Sequence, residues 1–456
     1  MIRVSLKYCT EGHPLASASH AAKICYQAEP PEYGDLMDVE GNLFKPGHHT
    51  TLSHFFMTFE IEGIAIGDVT FGLHLAAPFY NSDQRSGRFC AQMFASPDID
   101  GIMRYIDAFW PGNATGALGS DIRGYLEASM NDYSRCVQMA THIARLWTER
   151  ERPKASQKYI DRNAPKFAQE QARMFVPVIF PTGLDYTVNL VTLAALYRAA
   201  WSPVMRQVTQ QMVDAVVAQF PEISFMFDVA KRRIDDWAPL VQSPKFTEMH
   251  CKPRVELTSV RADAFLPPQK SAMHPLDLLH YMPERMENSV DGVEATIEVS
   301  VATMGQDQRH RTIRRGMPSF TGAFYMPPLI ARGMGFAGSL SLAANAMERW
   351  LALAGRVPRS LATVLAPYGA MVTYRKAGSF NAVAHEQAKR LCWCAQEEIY
   401  HLSHALREEV LKGELHDSRI AQLFDPPCRS TGVCGEGPRY CGRDLRAAEH
   451  FPKRVV

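Results

Sequence analysis

Two arginines flank a histidine at Arg309-His310-Arg311, soon after a β-type run at residues 293–301. Adjacent cationic or near-cationic side chains repel one another unless an anion or a carboxylate lies among them. Each guanidinium is a planar fork of donors, and this shape suits phosphate groups and electron-rich ring oxygens. The triplet therefore predicts an anion-binding site. A solvated basic turn without a ligand is the alternative interpretation.

The elements that would position this triplet occur in both halves of the chain. Alternating apolar and polar residues predict strands, longer amphipathic patterns predict helices, and Pro203 predicts a helix break at Ser202. The strand patterns cover residues 55–63 and 293–301, and the helical patterns cover residues 99–109, 121–150, 186–220, 330–355 and 381–412. The charged and Pro-containing residues 231–253 indicate a linker between the halves.

Composition excludes several classes of protein. The 456 residues are 46% hydrophobic with a net charge of +1, so neither a nucleic-acid partner nor an extended disordered chain is expected. No run is apolar and long enough for a membrane span, and the N-terminus lacks a signal-peptide pattern. Ten scattered cysteines favour a reducing, cytoplasmic location. Three of them, Cys428, Cys434 and Cys441, lie near His450 at a spacing that fits no standard zinc knuckle.

Several motifs resemble those of the flavin-dependent thymidylate synthases, whose signature is Arg-His-Arg, seven residues and then Ser, with Gly-Arg-Tyr commonly following. The segments of the first half that resemble this family are Phe56-Met57-Thr58-Phe59, Ser86-Gly87-Arg88-Phe89, Ala172-Arg173 and Thr187-Val188-Asn189. The segments of the second half are Gln306, Arg309-His310-Arg311, Asn381 and Arg390 before Ala395-Gln396-Glu397-Glu398-Ile399.

Each half also departs from the family pattern, and the departures are complementary. A count back from Ser86 without gaps puts Ala76-Ala77-Pro78 at the Arg-His-Arg position, and Ala200 replaces the substrate arginine. In the second half, Ser319-Phe320-Thr321 replaces Ser-Gly-Arg and Ala362-Thr363 replaces Ala-Arg. We therefore predict an α/β (α+β) protein of two tandem units, each a twisted sheet with long helices. The predicted units are residues 1–240 and 241–415, followed by a cysteine-containing tail at 416–456.

The resemblance implies an FAD-dependent enzyme that methylates a pyrimidine nucleotide, of the dUMP to dTMP type, with a reduced folate and NADPH as cosubstrates. It implies catalytic roles for Arg390, which would stabilise charge on the uracil oxygens, and for Gln306. It implies a homodimer that mimics the family's tetramer, with a composite site between the halves. The implied FAD-binding residues are Arg309, His310, Arg311, Thr58, Asn189 and Asn381, and the implied nucleotide-binding residues are Ser86, Gly87, Arg88 and Arg173.

Three alternatives remain open. The altered motifs also fit a catalytically inactive scaffold that binds flavin or nucleotide, or an enzyme that modifies carbon 5 of uracil in a related way. Arg173 and Arg390 also fit surface ion pairs on helices. Asn189 and Asn381 also fit simple helix N-caps.

Overall fold

The computed structural model describes residues 2–76, 80–88, 90, 92–232, 238–261, 292–412 and 424–430, and short stretches between residues 432 and 456. Its strands are β1 Arg3–Cys9, β2 Phe56–Ala65, β3 Tyr80–Gln84, β4 Pro181–Asn189, β5 Leu240–Val241, β6 Met249–His250, β7 Arg254–Arg261, β8 Gly292–Ser300, β9 Arg314–Arg315, β10 Ser319–Tyr325 and β11 Ala370–Ser379. The longer α-helices are α1 Pro14–Ile24, α2 Ile99–Phe109, α3 Gly116–Glu151, α4 Gln157–Ala172, α5 Leu190–Arg198, α6 Pro203–Gln219, α7 Val301–Asp307, α8 Pro328–Ala354, α9 Arg359–Leu365, α10 Phe380–Arg390 and α11 Glu397–Lys412. Shorter helical turns lie at Glu40–Phe44, His49–His54, Ile66–Asp68, Val69–Leu73, His74–Ala76, Gln92–Ala95, Arg173–Phe175, Pro221–Phe227, Val229–Lys231 and Pro427–Ser430.

The strands form two mainly antiparallel sheets with the same strand order. The first sheet runs β1-β2-β4-β3. The second runs β7-β8-β11-β10, and the short strands β5, β6 and β9 add to its far side. This mixed α/β architecture confirms the predicted fold class. The shared strand order agrees with a tandem duplication, which stays a prediction.

Side-chain alternation explains why β8 is a strand. Val293, Ala295, Ile297 and Val299 are buried, while the residues between them are partly exposed. A period of two places the apolar side chains on one face of the sheet. One continuous apolar core includes this face, the first sheet and the facing helices of both halves.

A reciprocal backbone pairing joins the halves. The Val178 N–H donates to the Ala366 carbonyl at 2.9 Å, and the Tyr368 N–H donates to the Val176 carbonyl at 2.9 Å. Pro177 and Pro367 are the two paired residues between these bonds. Because each segment gives the other the bond that it receives, the contact has local twofold character of the kind found in symmetric dimers.

This pairing corrects the gap-free alignment of the halves. The Gly67 N–H donates to the Val178 carbonyl at 2.8 Å, as the Ala302 N–H donates to the Tyr368 carbonyl at 3.1 Å. Counting forward from Gly67 and Ala302 makes His74-Leu75-Ala76 equivalent to Arg309-His310-Arg311. The equivalence of Ala76 with Arg309 was therefore wrong, because the loop before Ser86 differs in length from its counterpart. Ala77 and Pro78 lie outside the described residues.

Three element boundaries differ from the prediction. Residues 186–189 belong to strand β4, because their side chains complete the buried face of the first sheet. The helix predicted at 381–412 is two helices, since burial of Trp393 folds residues 391–396 into a turn. The predicted linker supplies β5 and β6, which pair with β10. The predicted break at Ser202 is confirmed: Ser202 caps α6, and Pro203 is its first residue.

Candidate functional site

The Arg-His-Arg triplet follows α7 in the second half and contacts β3 of the first half. Arg309 Nη1 donates to the Ser82 carbonyl at 3.1 Å, and Arg311 Nη2 donates to the same oxygen at 2.9 Å. Arg311 also hydrogen-bonds Asn81 Oδ1 and lies 5.1 Å from the centre of the Tyr80 ring. The residues implied in flavin binding therefore lie against the strand that leads into Ser86-Gly87-Arg88.

A buried ionic cluster supports the triplet from below. Lys376 Nζ donates to Asp307 Oδ1 at 2.5 Å and also pairs with Glu386, while Tyr374 OH donates to Asp307 Oδ2 at 2.9 Å. Arg315 pairs with Asp307 and donates to the His310 carbonyl at 3.0 Å. Burial raises the pKa of Asp307, but the charges of Arg315 and Lys376 outweigh it and hold that pKa well below its usual value. The cluster ties the backbone of the triplet to β11 and α10.

His310 differs from the near-cationic side chain that the sequence predicts. Burial, reinforced by the charges of Arg390 and Lys376, lowers the pKa of His310 well below its ordinary value. Its Nε2 atom is buried and has no hydrogen-bond partner among the described residues. His310 is therefore a neutral imidazole, and it packs edge-on against His385 with ring centres 5.7 Å apart.

Arg390 and Gln306 are in contact, as their implied roles require. Arg390 Nη2 donates to the Gln306 carbonyl at 2.8 Å, and the Gln306 amide donates to Gln396 Oε1. Burial lowers the pKa of Arg390 to about 10, and the positive charges of Arg88 and Arg309 contribute. The Arg390 guanidinium is thus withdrawn from solvent, and positive charges from both halves lower its pKa. The alternative interpretation of Arg390 as part of a surface ion pair is wrong. Its Nε atom has no hydrogen-bond partner within the described part of the chain.

The Ser86-Gly87-Arg88 turn brings a second guanidinium to the same region. Arg88 Nε lies 2.9 Å from a carboxylate oxygen of Glu170, and Arg88 Nη2 donates to the Cys394 carbonyl at 3.3 Å. Ser86 Oγ accepts the Arg88 backbone N–H at 3.2 Å, which closes the turn. A Cβ atom at Gly87 would lie 3.2 Å from the Phe94 ring, so close packing favours glycine there.

Arg173 is buried beside this turn rather than in a surface ion pair. Its guanidinium lies 5.2 Å from the centre of the Tyr368 ring, and burial lowers its pKa. Its Nε and Nη2 atoms are buried without a hydrogen-bond partner in the described residues. Buried donors without partners cost about 1–3 kcal/mol each, so an acceptor group placed here would gain that free energy.

The remaining predicted flavin contacts have other visible roles. Thr58 Oγ1 hydrogen-bonds Thr187 Oγ1 at 2.7 Å, and Thr187 pairs with Asn81, the partner of Arg311. Asn189 is the N-cap of α5, where its side chain accepts the Thr192 N–H at 2.9 Å. Asn381 is not a cap, because Ser379 caps α10 and Asn381 is the second helical residue.

Glu397 and Glu398, which the sequence placed in the segment Ala395–Ile399 without a role of their own, are a pair of buried carboxyl groups at the start of α11. Glu397 accepts a hydrogen bond from Tyr325 OH at 2.7 Å, and burial raises its pKa well above the ordinary value. Glu398 accepts bonds from the Ser300 N–H at 2.7 Å and from Thr303 Oγ1 at 2.6 Å, and burial raises its pKa to about 7.

Neither the C-terminal cysteines nor the carboxyl groups form a metal centre in the described residues. The tail instead packs inward, where the Val455 N–H donates to Glu151 Oε1 at 2.8 Å. His450 lies outside the described residues. None of the described helices combines the length and the apolar composition that a membrane crossing needs.

Residues 8–222 match the family model of the thymidylate synthase complementing protein. This match confirms the resemblance to flavin-dependent thymidylate synthases and the expected methyltransferase-type enzyme class at the level of the family. No curated protein matches the chain.

Two solved structures are similar to part of this chain. Thymidylate synthase X (ThyX) from Helicobacter pylori, solved with FAD and dUMP, is 18% identical, with a TM-score of 0.33 over 51% of this chain and 100% of that one. The UMP/dUMP methylase PolB from Streptomyces cacaoi, bound with 5-Br dUMP, is 19% identical, with a TM-score of 0.28 over 48% of this chain and 91% of that one.

Proposed function

Because residues 8–222 match the family of flavin-dependent thymidylate synthases, we propose that this chain methylates carbon 5 of a pyrimidine nucleotide. The reaction is of the dUMP to dTMP type, with FAD as cofactor and with a reduced folate and NADPH as cosubstrates. It takes place at one composite site between the two halves of the chain. The observation that carries this proposal is that three partly buried arginines from both halves lie in one region. Arg88 donates to the Cys394 carbonyl, and Arg390 donates to the carbonyl of Gln306, three residues before Arg309.

The phosphate of the nucleotide is assigned to the first half. Arg88 and Arg173 flank the Gly87 turn, and a Cβ atom at Gly87 would lie 3.5 Å from Arg173 Nη1. Arg173 offers buried Nε and Nη2 donors without protein partners among the described residues. A phosphate oxygen satisfies such donors with charge-assisted hydrogen bonds. Ser86 supplies a hydroxyl at the same turn.

The flavin is assigned to the second half. Arg309 uses one of its five N–H groups on the Ser82 carbonyl, which leaves donors for an anionic ligand. His310 keeps a buried Nε2 atom without a partner in the described residues, so it fits a ligand polar atom. These residues fit FAD, which when bound and reduced would supply a hydride for carbon 6 of the uracil. Thr58, Asn189 and Asn381 are retained as weaker candidates for its outer contacts.

Arg390 is assigned the electrostatic role in catalysis. Negative charge would develop on the uracil oxygens when carbon 6 accepts a hydride, and a fixed guanidinium would lower the barrier by stabilising that charge. With its pKa lowered only to about 10, Arg390 stays charged at neutral pH. Gln306 holds Arg390 through its carbonyl and is assigned to orient it. Two such chains would form the homodimer that the tetrameric family architecture implies.

The first experiment compares two arginines three positions apart. Arg88→Ala should weaken dUMP binding by about 10- to 100-fold, the loss expected for a charge-assisted hydrogen bond, and should keep the flavin absorption band. Arg85→Ala is the matched control, because Arg85 is exposed and pairs with Glu62. Loss of flavin with unchanged dUMP binding in Arg88→Ala would contradict this assignment.

A second candidate function is a catalytically inactive scaffold that binds flavin or nucleotide. The pairing of Arg88 with Glu170 favours it, because a carboxylate already occupies part of the fork meant for phosphate. Incubation with dUMP, methylene-tetrahydrofolate, NADPH and FAD distinguishes the two, with dTMP measured by mass spectrometry. Tight dUMP binding without any dTMP would favour the scaffold. A hydroxymethylated product, or methylated UMP, would instead favour the related uracil-modifying enzyme.

A further inference from the structure

A tight turn with two cysteines connects α10 to α11. The Ala395 N–H donates to the Cys392 carbonyl at 3.0 Å, which closes a β-turn over Cys392-Trp393-Cys394. Cys392 and Cys394 are the first and third residues of this turn, so their Cα atoms are closer than the roughly 7 Å that two residues span in an extended chain. Disulfides join Cα atoms about 4.4–6.8 Å apart. Trp393 is 2% exposed and packs with Leu391 and Tyr400, so the turn is held in this shape. No role proposed above uses either thiol.

The two cysteines contact each other. The Cys394 backbone N–H donates to Cys392 Sγ at 3.4 Å. A side-chain hydrogen bond with Cys394, assisted by burial, raises the pKa of Cys392, which favours its protonated form. Cys394 is the cysteine whose own carbonyl accepts from the Arg88 guanidinium, and a nearby cation favours a thiolate. Both residues are partly exposed, so small oxidants reach them.

The surroundings of the turn are electropositive. Arg88 Nη2 donates to the Cys394 carbonyl at 3.3 Å, and Arg152 Nη2 donates to the Trp393 carbonyl at 3.0 Å. The Arg443 guanidinium lies 4.2 Å from the centre of the Trp393 ring. Nearby guanidiniums stabilise a thiolate, and reactive cysteines are found in such partly exposed, positive environments.

We propose that Cys392 and Cys394 form a reversible dithiol–disulfide pair, with Cys394 as the attacking sulfur and Cys392 as the resolving one. With a peroxide as oxidant, the Cys394 thiolate attacks one oxygen, the O–O bond breaks, and the hydroxide that leaves takes a proton to become water. The Cys392 sulfur then displaces the hydroxyl of the Cys394 sulfenic acid, which releases a second water and forms the S–S bond. Two electrons pass from the thiols to the peroxide, and a dithiol reductant returns them.

The pair is distinct from the other cysteines of the chain. Cys136 is buried on α3, where burial raises its pKa to about 12, and it belongs to the apolar core. Cys428, Cys434 and Cys441 lie in the tail, and burial raises the pKa of Cys428 to about 11. Neither group contains two cysteines separated by a single residue.

The pair is also connected to the candidate nucleotide site, because the carbonyl of the attacking cysteine is a partner of Arg88. Formation of the S–S bond would move that carbonyl and change the position of Arg88. The dithiol chemistry itself does not depend on the nucleotide function, since it can be measured on protein that has no substrate.

The test treats the purified full-length chain with hydrogen peroxide, blocks remaining thiols with an alkylating reagent, and maps the peptides by mass spectrometry. The peptide that contains Cys392 and Cys394 should lose about 2 Da, the mass of two hydrogens, and should regain it with dithiothreitol. Cys25→Ser, which removes an exposed thiol, should behave as the wild type.

Two variants assign the roles within the pair. In Cys392→Ser, Cys394 should accumulate as a sulfenic acid that dimedone traps, because the resolving thiol is missing. In Cys394→Ser, Cys392 should stay alkylatable under the same peroxide treatment. A disulfide from Cys392 or Cys394 to Cys434 or Cys441, or full alkylation of both thiols after peroxide, would overturn the proposal.

Discussion

The two halves share a strand order but differ in what fills the space beneath the Arg-His-Arg position. In the second half this space holds Asp307, Lys376 and Glu386, which form a buried ionic cluster. The equivalent positions in the first half are Gly72, Tyr186 and Leu196. Tyr186 stacks on Tyr80 there, with ring centres 5.6 Å apart. One half thus supports cations with buried charge, and the other supports an aromatic stack.

The difference shows where the twofold relation is broken. Position 309 is an arginine in the second half, and its equivalent His74 is a buried histidine that hydrogen-bonds Ser82 at 2.9 Å. Arg309 donates to the backbone of that same Ser82. The first half therefore forms the surface that receives the triplet, and the second half carries the triplet.

The largest expected effect comes from removal of the central charge of the ionic cluster. Lys376→Met should lower the free energy of unfolding by about 3–5 kcal/mol, because two buried carboxylates lose their shared cation. Tyr186→Phe at the equivalent position removes only the bond from its hydroxyl to the Leu73 carbonyl, so about 1 kcal/mol is expected. Urea unfolding of both variants measures the comparison. Equal losses would show that the halves are supported alike.

The next effect concerns catalysis. Arg390→Ala should reduce the rate of dTMP formation by about 100- to 1,000-fold, the usual cost of losing one fixed donor to transition-state charge. Its first-half equivalent is Ala200, and the nearby Arg198 donates to the Met226 carbonyl at 3.5 Å. Arg198→Ala is therefore the control and should retain the rate. A rate lost equally in both variants would argue against a special role for Arg390.

A pH dependence should arise from His74. Burial, with the charges of Arg309 and Arg311, lowers the pKa of His74 to about 3. An unfolded chain binds a proton at this residue near its ordinary pKa, so the stability from a neutral His74 is complete above that pKa. It is lost as the pH falls toward 3.

Unfolding at pH 6.5 and pH 5.5 checks this effect. The histidine should contribute about 1 kcal/mol to the loss of stability over this interval, and His74→Gln should remove that contribution while it keeps a partner for Ser82. The second half has Arg309 at this position, and its guanidinium stays charged over this pH interval. Arg309→Gln should therefore change the pH dependence of the unfolding free energy only through its effect on the pKa of His74. An identical slope in His74→Gln and wild type would mean that His74 is protonated in the folded state.

The smallest effect concerns helix caps. Asn189 caps α5 and Ser379 caps α10 at equivalent positions. Asn189→Ala and Ser379→Ala should each cost about 1 kcal/mol of unfolding free energy, with the flavin band unchanged. Thermal unfolding followed by circular dichroism measures both. Loss of flavin in Asn189→Ala alone would restore the cofactor role that the family resemblance implies.

Local patterns predicted much of the fold because they report burial directly. The strand at 293–301 and the helix at 99–109 were found from periodicity, and the break at Ser202-Pro203 was found because proline disfavours helix at the residue before it. The helix predicted across Cys392 failed, since nothing local breaks it and the burial of Trp393 is a tertiary effect. The prediction of a near-cationic His310 was wrong for the same reason. Its pKa is lowered by burial and by Arg390 and Lys376, which are distant in sequence.

Family motifs singled out Arg309 and Arg88 as candidate site residues, and their roles stay predictions. The candidate site was not predictable where function is shared between partners. The sequence contains no sign that Ser82 receives two arginines, or that Glu170 pairs with Arg88. The alignment of His74 with Arg309 follows from the backbone pairing between the halves. A gap-free count along the sequence could not show it, because the two loops differ in length.

The pairing across Pro177 and Pro367 has a consequence for how the chain is made. Each segment has backbone groups that only the other half satisfies, so neither half can bury this strip when it is synthesised alone. A continuous polypeptide holds the two segments at an effective concentration in the millimolar range, which separate chains in a cell do not reach. In this chain the two segments therefore meet in a folding step whose rate does not depend on protein concentration.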